Sequence, residues 1–158
     1  MTKIESFIKS GDEFEPIEQF AGKIGDPQYI EGAIELSIGG KLVLDKSMWD
    51  YVDQLWAYLV EGLVSVCRDG KFFTYFPDQP IKLSFWRDSA GKKLAVEVEF
   101  DSKSLKTQTN FKEFATSMTN AANTFFTKLI DLVPANRKSY EAIIQKLLIL
   151  RKWTEKEG

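Results

Sequence analysis

Histidine is absent from all 158 residues, and cysteine occurs once, at Cys67. The first absence removes the commonest general base and the commonest metal ligand together. With the second, it excludes a disulfide within the chain, a Cys/His zinc site and a Ser-His-Asp triad. The chain also lacks a Gly-x-Gly-x-x-Gly turn, a Gly-Lys-Ser/Thr phosphate loop and a Gly-x-Ser-x-Gly elbow. Charges break every apolar stretch well short of the ~20 residues a membrane span needs. The opening Met1-Thr2-Lys3-Ile4-Glu5-Ser6-Phe7-Ile8-Lys9 has no apolar core of a secretory signal. These absences point to a cytoplasmic protein with no membrane partner, no metal and no cofactor. They make a non-catalytic binding role the expectation, rather than an enzyme.

What is present is ordinary in amount but uneven in placement. Apolar residues make up 44% and charged residues 28%. A chain of this length buries roughly 70% of its unfolded surface and needs no staple. Aromatics reach 13%, with 12 Phe, 5 Tyr and 4 Trp; such residues fill cores and anchor interfaces. Net charge is -2, but residues 1–61 carry -7 and residues 62–158 carry +5. An acidic first half repels phosphates, so no nucleic-acid partner is expected, and it favours a basic protein.

Residues 1–27 are acidic and rich in breakers, and read as an N-terminal arm; residues 28–158 read as a single α+β domain. Ile30, Ile34, Leu36 and Ile38 alternate with polar neighbours, giving a strand with one wet face. Gly39-Gly40 makes a tight hairpin turn, and the return strand 41–45 is expected to point Leu42 and Leu44 inward. A helix follows, with Ser47 as its N-cap and Asp50 in the box position, and a stripe of Trp49, Val52, Trp56, Leu59, Leu63 and Val66. Gly70 is its expected left-handed cap. Lys71 to Phe76 carries aromatics on both faces and reads as a central or doubly covered strand. A hairpin spans 81–100, and residues 103–108 add an edge strand. Asn110, with Glu113, caps a long helix that Pro134 stops, and a last helix runs over about 137–152, burying Tyr140, Ile143, Ile144, Leu147 and Leu148. The order is β-β-α-β-β-β-(β)-α-α. The expected fold is α+β: one mostly antiparallel sheet of five to six strands with helices packed on one face.

Few residues are candidates for chemistry. Cys67 ends an apolar stripe and has no histidine to activate it, so an inert thiol is expected. Asp50 and Asp53, at i,i+3 spacing on the first helix, lie two to three turns before Glu61. Such carboxylates could hold Mg²⁺ or flank a glycosidic bond; a solvated face near a helix N-terminus is the plainer reading. Tyr51 and Tyr58 lie beside them, and a strip of tyrosines and acids suits a basic partner. Trp86 shares its strand face with Lys82 and Ser84, the expected wet side, and is a further anchor unless a loop covers it. The uncharged polar strip on the long helix, Thr116-Ser117, Thr119-Asn120, Asn123-Thr124 and Thr127, reads as surface or as a second contact face.

The helix around Trp49 to Leu63, the stretch Phe72-Phe73-Thr74-Tyr75-Phe76-Pro77-Asp78-Gln79-Pro80 with its hairpin, and Ala122-Asn123-Thr124-Phe125-Phe126-Thr127-Lys128-Leu129 together resemble bacterial immunity proteins of polymorphic or contact-dependent toxin systems. The resemblance extends over roughly residues 29–150 and is one of style. It implies that the chain binds and neutralises one cognate toxin by occlusion, a nuclease being the first candidate. On the residue reading, Asp50, Tyr51, Asp53, Tyr58, Glu61 and Trp86 would engage that partner. Two rivals fit the same composition: a secretion-type chaperone or adaptor holding an extended peptide, and an enzyme working with carboxylates alone.

Overall fold

The computed structural model describes residues 1–156; residues 157 and 158, the end of the expected domain, lie outside it. Among the described residues, nine strands and three helices follow one another as β1 (Thr2–Ser10), β2 (Glu13–Pro16), β3 (Glu31–Ile38), β4 (Lys41–Leu44), β5 (Asp50–Tyr51), α1 (Val52–Asp69), β6 (Lys71–Tyr75), β7 (Lys82–Arg87), β8 (Lys93–Phe100), β9 (Lys103–Asn110), α2 (Phe111–Leu132) and α3 (Arg137–Lys156). The α+β class and the antiparallel pairing are as expected. The strands are divided between two sheets rather than gathered in one: β2-β1-β3-β4, with β5 also on β3, and the meander β6-β7-β8-β9. The sheets and helices share one contiguous apolar core.

Residues 1–27 are not an appended arm. β1 lies inside the first sheet, paired with β2 on one side and with β3 on the other, from Thr2↔Ile38 to Ile8↔Gly32. Alternation hides it, because Ser6 takes an inner position as the acceptor of the Trp56 indole N–H at 2.9 Å. Phe7 is buried on the opposite face, where the Lys46 ammonium lies 4.4 Å from its ring centre.

The glycine pair behaves as its chemistry requires. Gly39 and Gly40 turn with φ of 57° and 81°, which side chains resist. The return strand differs from expectation: a register shift between Leu36 and Ser37 buries Val43 beside Leu44 and leaves Leu42 52% exposed.

Helix α1 starts later than its sequence suggests. Ser47 does not cap it. Asp45 caps a single 3-10 turn instead, accepting the Ser47 N–H at 2.8 Å. The chain then extends through β5, and the Val52 N–H finds the Ile30 carbonyl at 2.9 Å. Gly70 closes α1 in the left-handed conformation, its N–H on the Val66 carbonyl. Gly62 lets α1 lie directly on β6; a methyl group there would sit 2.7 Å from the Phe72 ring. For α2 the expected cap holds: Asn110 Oδ1 accepts the Glu113 N–H at 2.8 Å. Glu113 itself turns to β1, accepting the Thr2 N–H at 2.7 Å. On α3 the buried line runs Tyr140, Leu147, Leu150 and Thr154. Leu148, expected inside, is 45% exposed beside Ile149 and Trp153.

Candidate functional site

The acids expected to form a docking strip on α1 are spent on internal bonds. Asp50 is not on the helix at all. It sits in β5, 2% exposed, because its carboxylate organises the loop after β6. It accepts N–H bonds from Tyr51 at 2.7 Å, Asp78 at 3.1 Å and Gln79 at 2.9 Å. The Gln79 amide returns to the Trp49 carbonyl. Asp53 ties α1 to α3, accepting the Tyr140 hydroxyl at 2.8 Å. Asn136 holds that hydroxyl from behind at 3.1 Å and reaches the Pro27 carbonyl at 2.8 Å. Burial raises the Asp53 carboxyl above the ordinary aspartate range, against the Tyr140 and Gln54 bonds that lower it. The Tyr140 phenol is likewise raised, by burial first. Glu61, near the middle of α1, pairs with Lys146 on α3. Tyr58 is 37% exposed. The six residues singled out by sequence therefore do not converge: Asp50, Asp53 and Glu61 each hold a different internal partner.

Two of the six lead to surfaces that the molecule leaves open. The first is the outer face of the second sheet. Strand registry sets Lys71, Trp86, Ala95 and Gln108 in one row, Phe73, Ser84, Glu97 and Lys106 in the next, and Tyr75, Lys82, Glu99 and Ser104 in a third. Phe73 is 60% exposed, Tyr75 57% and Trp86 40%. Phe73 and Tyr75 meet edge to face, with centroids 6.4 Å apart. The Lys82 ammonium lies 4.6 Å from the Phe73 ring centre, and that of Lys106 lies 5.5 Å from Trp86. Trp86 is on the wet side, as its spacing indicated. Phe73 and Tyr75 were hidden by reading β6 as a covered strand. The signal was in the alternation: Lys71, Phe73 and Tyr75 share one face, and a face that carries lysine at a strand start is seldom buried.

The second surface surrounds Tyr51. Its ring packs against Tyr29 at 5.2 Å between centroids, and Tyr29 is 55% exposed. Partial desolvation, then the charges of Asp78 and Glu31, hold the Tyr51 phenol above its ordinary value. This is a tyrosine-and-acid cluster of the kind expected, built from Tyr29, Glu31, Tyr51 and Asp78 rather than along α1. The loop 76–80, fixed by Asp50, runs from the end of β6 to this cluster.

Elsewhere a groove of about 360 Å³ lies between β1 and α2, lined by Thr2, Ser6, Glu18, Ser117, Asn120 and Thr124 among others. It takes up part of the uncharged strip on α2. Cys67 is half-buried. Among the described residues, no group of three or more Asp, Glu or Cys side chains could hold a metal ion, and no helix is long and apolar enough to cross a membrane.

No family model, curated protein or solved structure matches the chain.

Proposed function

We propose that this protein is a stoichiometric inhibitor: an immunity protein that binds and occludes one cognate bacterial toxin in the cytoplasm and turns nothing over. The observation that carries the reading is the outer face of the second sheet, where Phe73, Tyr75 and Trp86 stand exposed on adjacent strands. Leaving such rings in water forgoes roughly 25 cal/mol per Å² of apolar surface, which a partner recovers on docking. Tyr and Trp are the residues that dominate binding energy when a partner excludes water around them. The Tyr29–Tyr51 pair beside Asp78 supports a basic partner, since it offers ring faces and a carboxylate to one arginine or lysine side chain, while Glu31 beside it already lies 4.0 Å from the Lys9 ammonium.

The test is a calorimetric titration of the purified protein with the product of the reading frame directly upstream of its gene, where this reading expects a toxin domain, followed by a toxin activity assay. The expected result is a 1:1 complex and loss of toxin activity at equivalence. No heat of binding, or binding with full toxin activity, refutes the reading.

A further inference from the structure

The second sheet has two edges, and they are treated differently. At β9, Lys103 and Lys106 guard the strand, and the Lys41 ammonium, reaching over from β4, donates to the Lys106 carbonyl at 3.4 Å. Charged side chains and capped carbonyls are the usual protection of an edge. At β6 no such device is present. The strand has no proline and no bulge, and its one charged residue, Lys71, sits at its start.

The hydrogen-bond phase of β6 follows from its ends. The Arg87 N–H reaches the Gly70 carbonyl at 2.8 Å, and the Phe76 N–H reaches the Ile81 carbonyl at 2.9 Å. Antiparallel ladders alternate, so Phe72 and Thr74, opposite Phe85 and Leu83, also bond towards β7. Lys71, Phe73 and Tyr75 therefore turn their N–H and C=O groups to the open side. Of these six groups, only the Tyr75 carbonyl has a partner among the described residues, the Thr74 hydroxyl at 3.0 Å. The same three residues carry the exposed side chains Phe73 and Tyr75 on the outer face.

Resting on the inhibitor reading above, the geometry points to strand addition: the partner lays an extended segment along β6 and becomes the fifth strand of the second sheet. Main-chain bonds to Lys71, Phe73 and Tyr75 supply the register. The segment's outer-face side chains are apolar or β-branched where they flank Phe73 and Tyr75. A carboxylate stands beside Lys71, which is exposed and forms no ion pair among the described residues. A second copy of this chain is the rival occupant, and the same measurement separates the two.

The experiment is residue-resolved amide exchange on the free protein and on its complex with the product of that upstream reading frame. In the free protein, the Lys71, Phe73 and Tyr75 amides exchange fast while those of Phe72 and Thr74 are protected. In the complex, the three fast amides slow by roughly tenfold or more, as new ladder bonds require. A companion pair of variants isolates the main chain. Phe73→Ser removes the ring and keeps the N–H; Phe73→Pro removes both and leaves the bonds to β7 intact. Strand addition predicts that the proline variant binds at least about tenfold more weakly than the serine variant, an edge position being one that accepts proline without unfolding. A complex that forms while the three amides still exchange freely overturns strand addition and leaves the inhibitor reading standing. Protection already present in the free protein, growing with its concentration, also overturns it, in favour of self-pairing. No complex at all sinks the inhibitor reading and strand addition with it.

Discussion

The start of α1 and the outer face of the second sheet make an instructive pair. By residue type the first looks like a docking surface, whereas on the second only Trp86 does. Around the α1 start the acids are taken up inside the molecule: Asp50, in β5, holds three backbone N–H groups, and Asp53 holds the Tyr140 hydroxyl. On the sheet, the apolar groups face outward: Phe73 and Tyr75 meet edge to face, and the Lys82 and Lys106 ammonium groups lie over Phe73 and Trp86. A carboxylate is recruited for structure wherever unpaired N–H groups need an acceptor, so acids near turns and helix starts are poor guides to a partner. Rings left in solvent have no such internal use.

Substitutions can break this contrast at either end. The largest effect falls on Asp50. Asp50→Ala removes a buried carboxylate and leaves three part-buried N–H donors without their acceptor, and should lower unfolding free energy by about 3 kcal/mol, read by urea denaturation. Next is the sheet face. The double variant Phe73→Ser, Tyr75→Ser should weaken partner binding by about 2 kcal/mol while shifting stability by no more than ~0.5 kcal/mol, since both rings are exposed. Tyr140→Phe comes third. Losing the bond to Asp53 should lower stability by about 1 kcal/mol at neutral pH.

The pH dependence of Asp53 sharpens the same point. Its native carboxyl is raised above the ordinary 3.8, so the folded state binds the proton more tightly than the unfolded chain. The resulting stability is full below 3.8 and is lost as pH rises through the raised native value. Asp53→Asn should flatten stability across that acidic window, in a series of melts at stepped pH. The smallest effect belongs to the ion pair of Glu61 with Lys146, exposed on both sides. Glu61→Gln should change stability by less than about 0.5 kcal/mol.

What sequence revealed were the features decided within a few residues. Gly39-Gly40, the Asn110–Glu113 cap, the Gly70 terminator and the stop at Pro134 each answer a local demand on φ or on an unpaired N–H. What it concealed were features decided by distant partners. β1 is a strand because β3 lies beside it, and its inner Ser6 is explained only by Trp56, fifty residues on. Asp50 looks like a helix-start acid until Asp78 and Gln79 arrive from the loop after β6. On the candidate surfaces, spacing places Trp86 on the wet face and Tyr51 beside acids, whereas aromatics on both faces of β6 make Phe73 and Tyr75 look covered. Composition cannot tell a central strand from an edge strand when only one face of it is packed.

The decisive measurement is a pair of titrations against the same toxin domain. One uses the Phe73→Ser, Tyr75→Ser variant and the other the Asp53→Asn, Glu61→Gln variant. If the sheet face carries the binding, the first loses about 30-fold in affinity and the second stays within about threefold of the wild type. The opposite order, with affinity lost at the α1 acids and kept on the sheet, would contradict that reading.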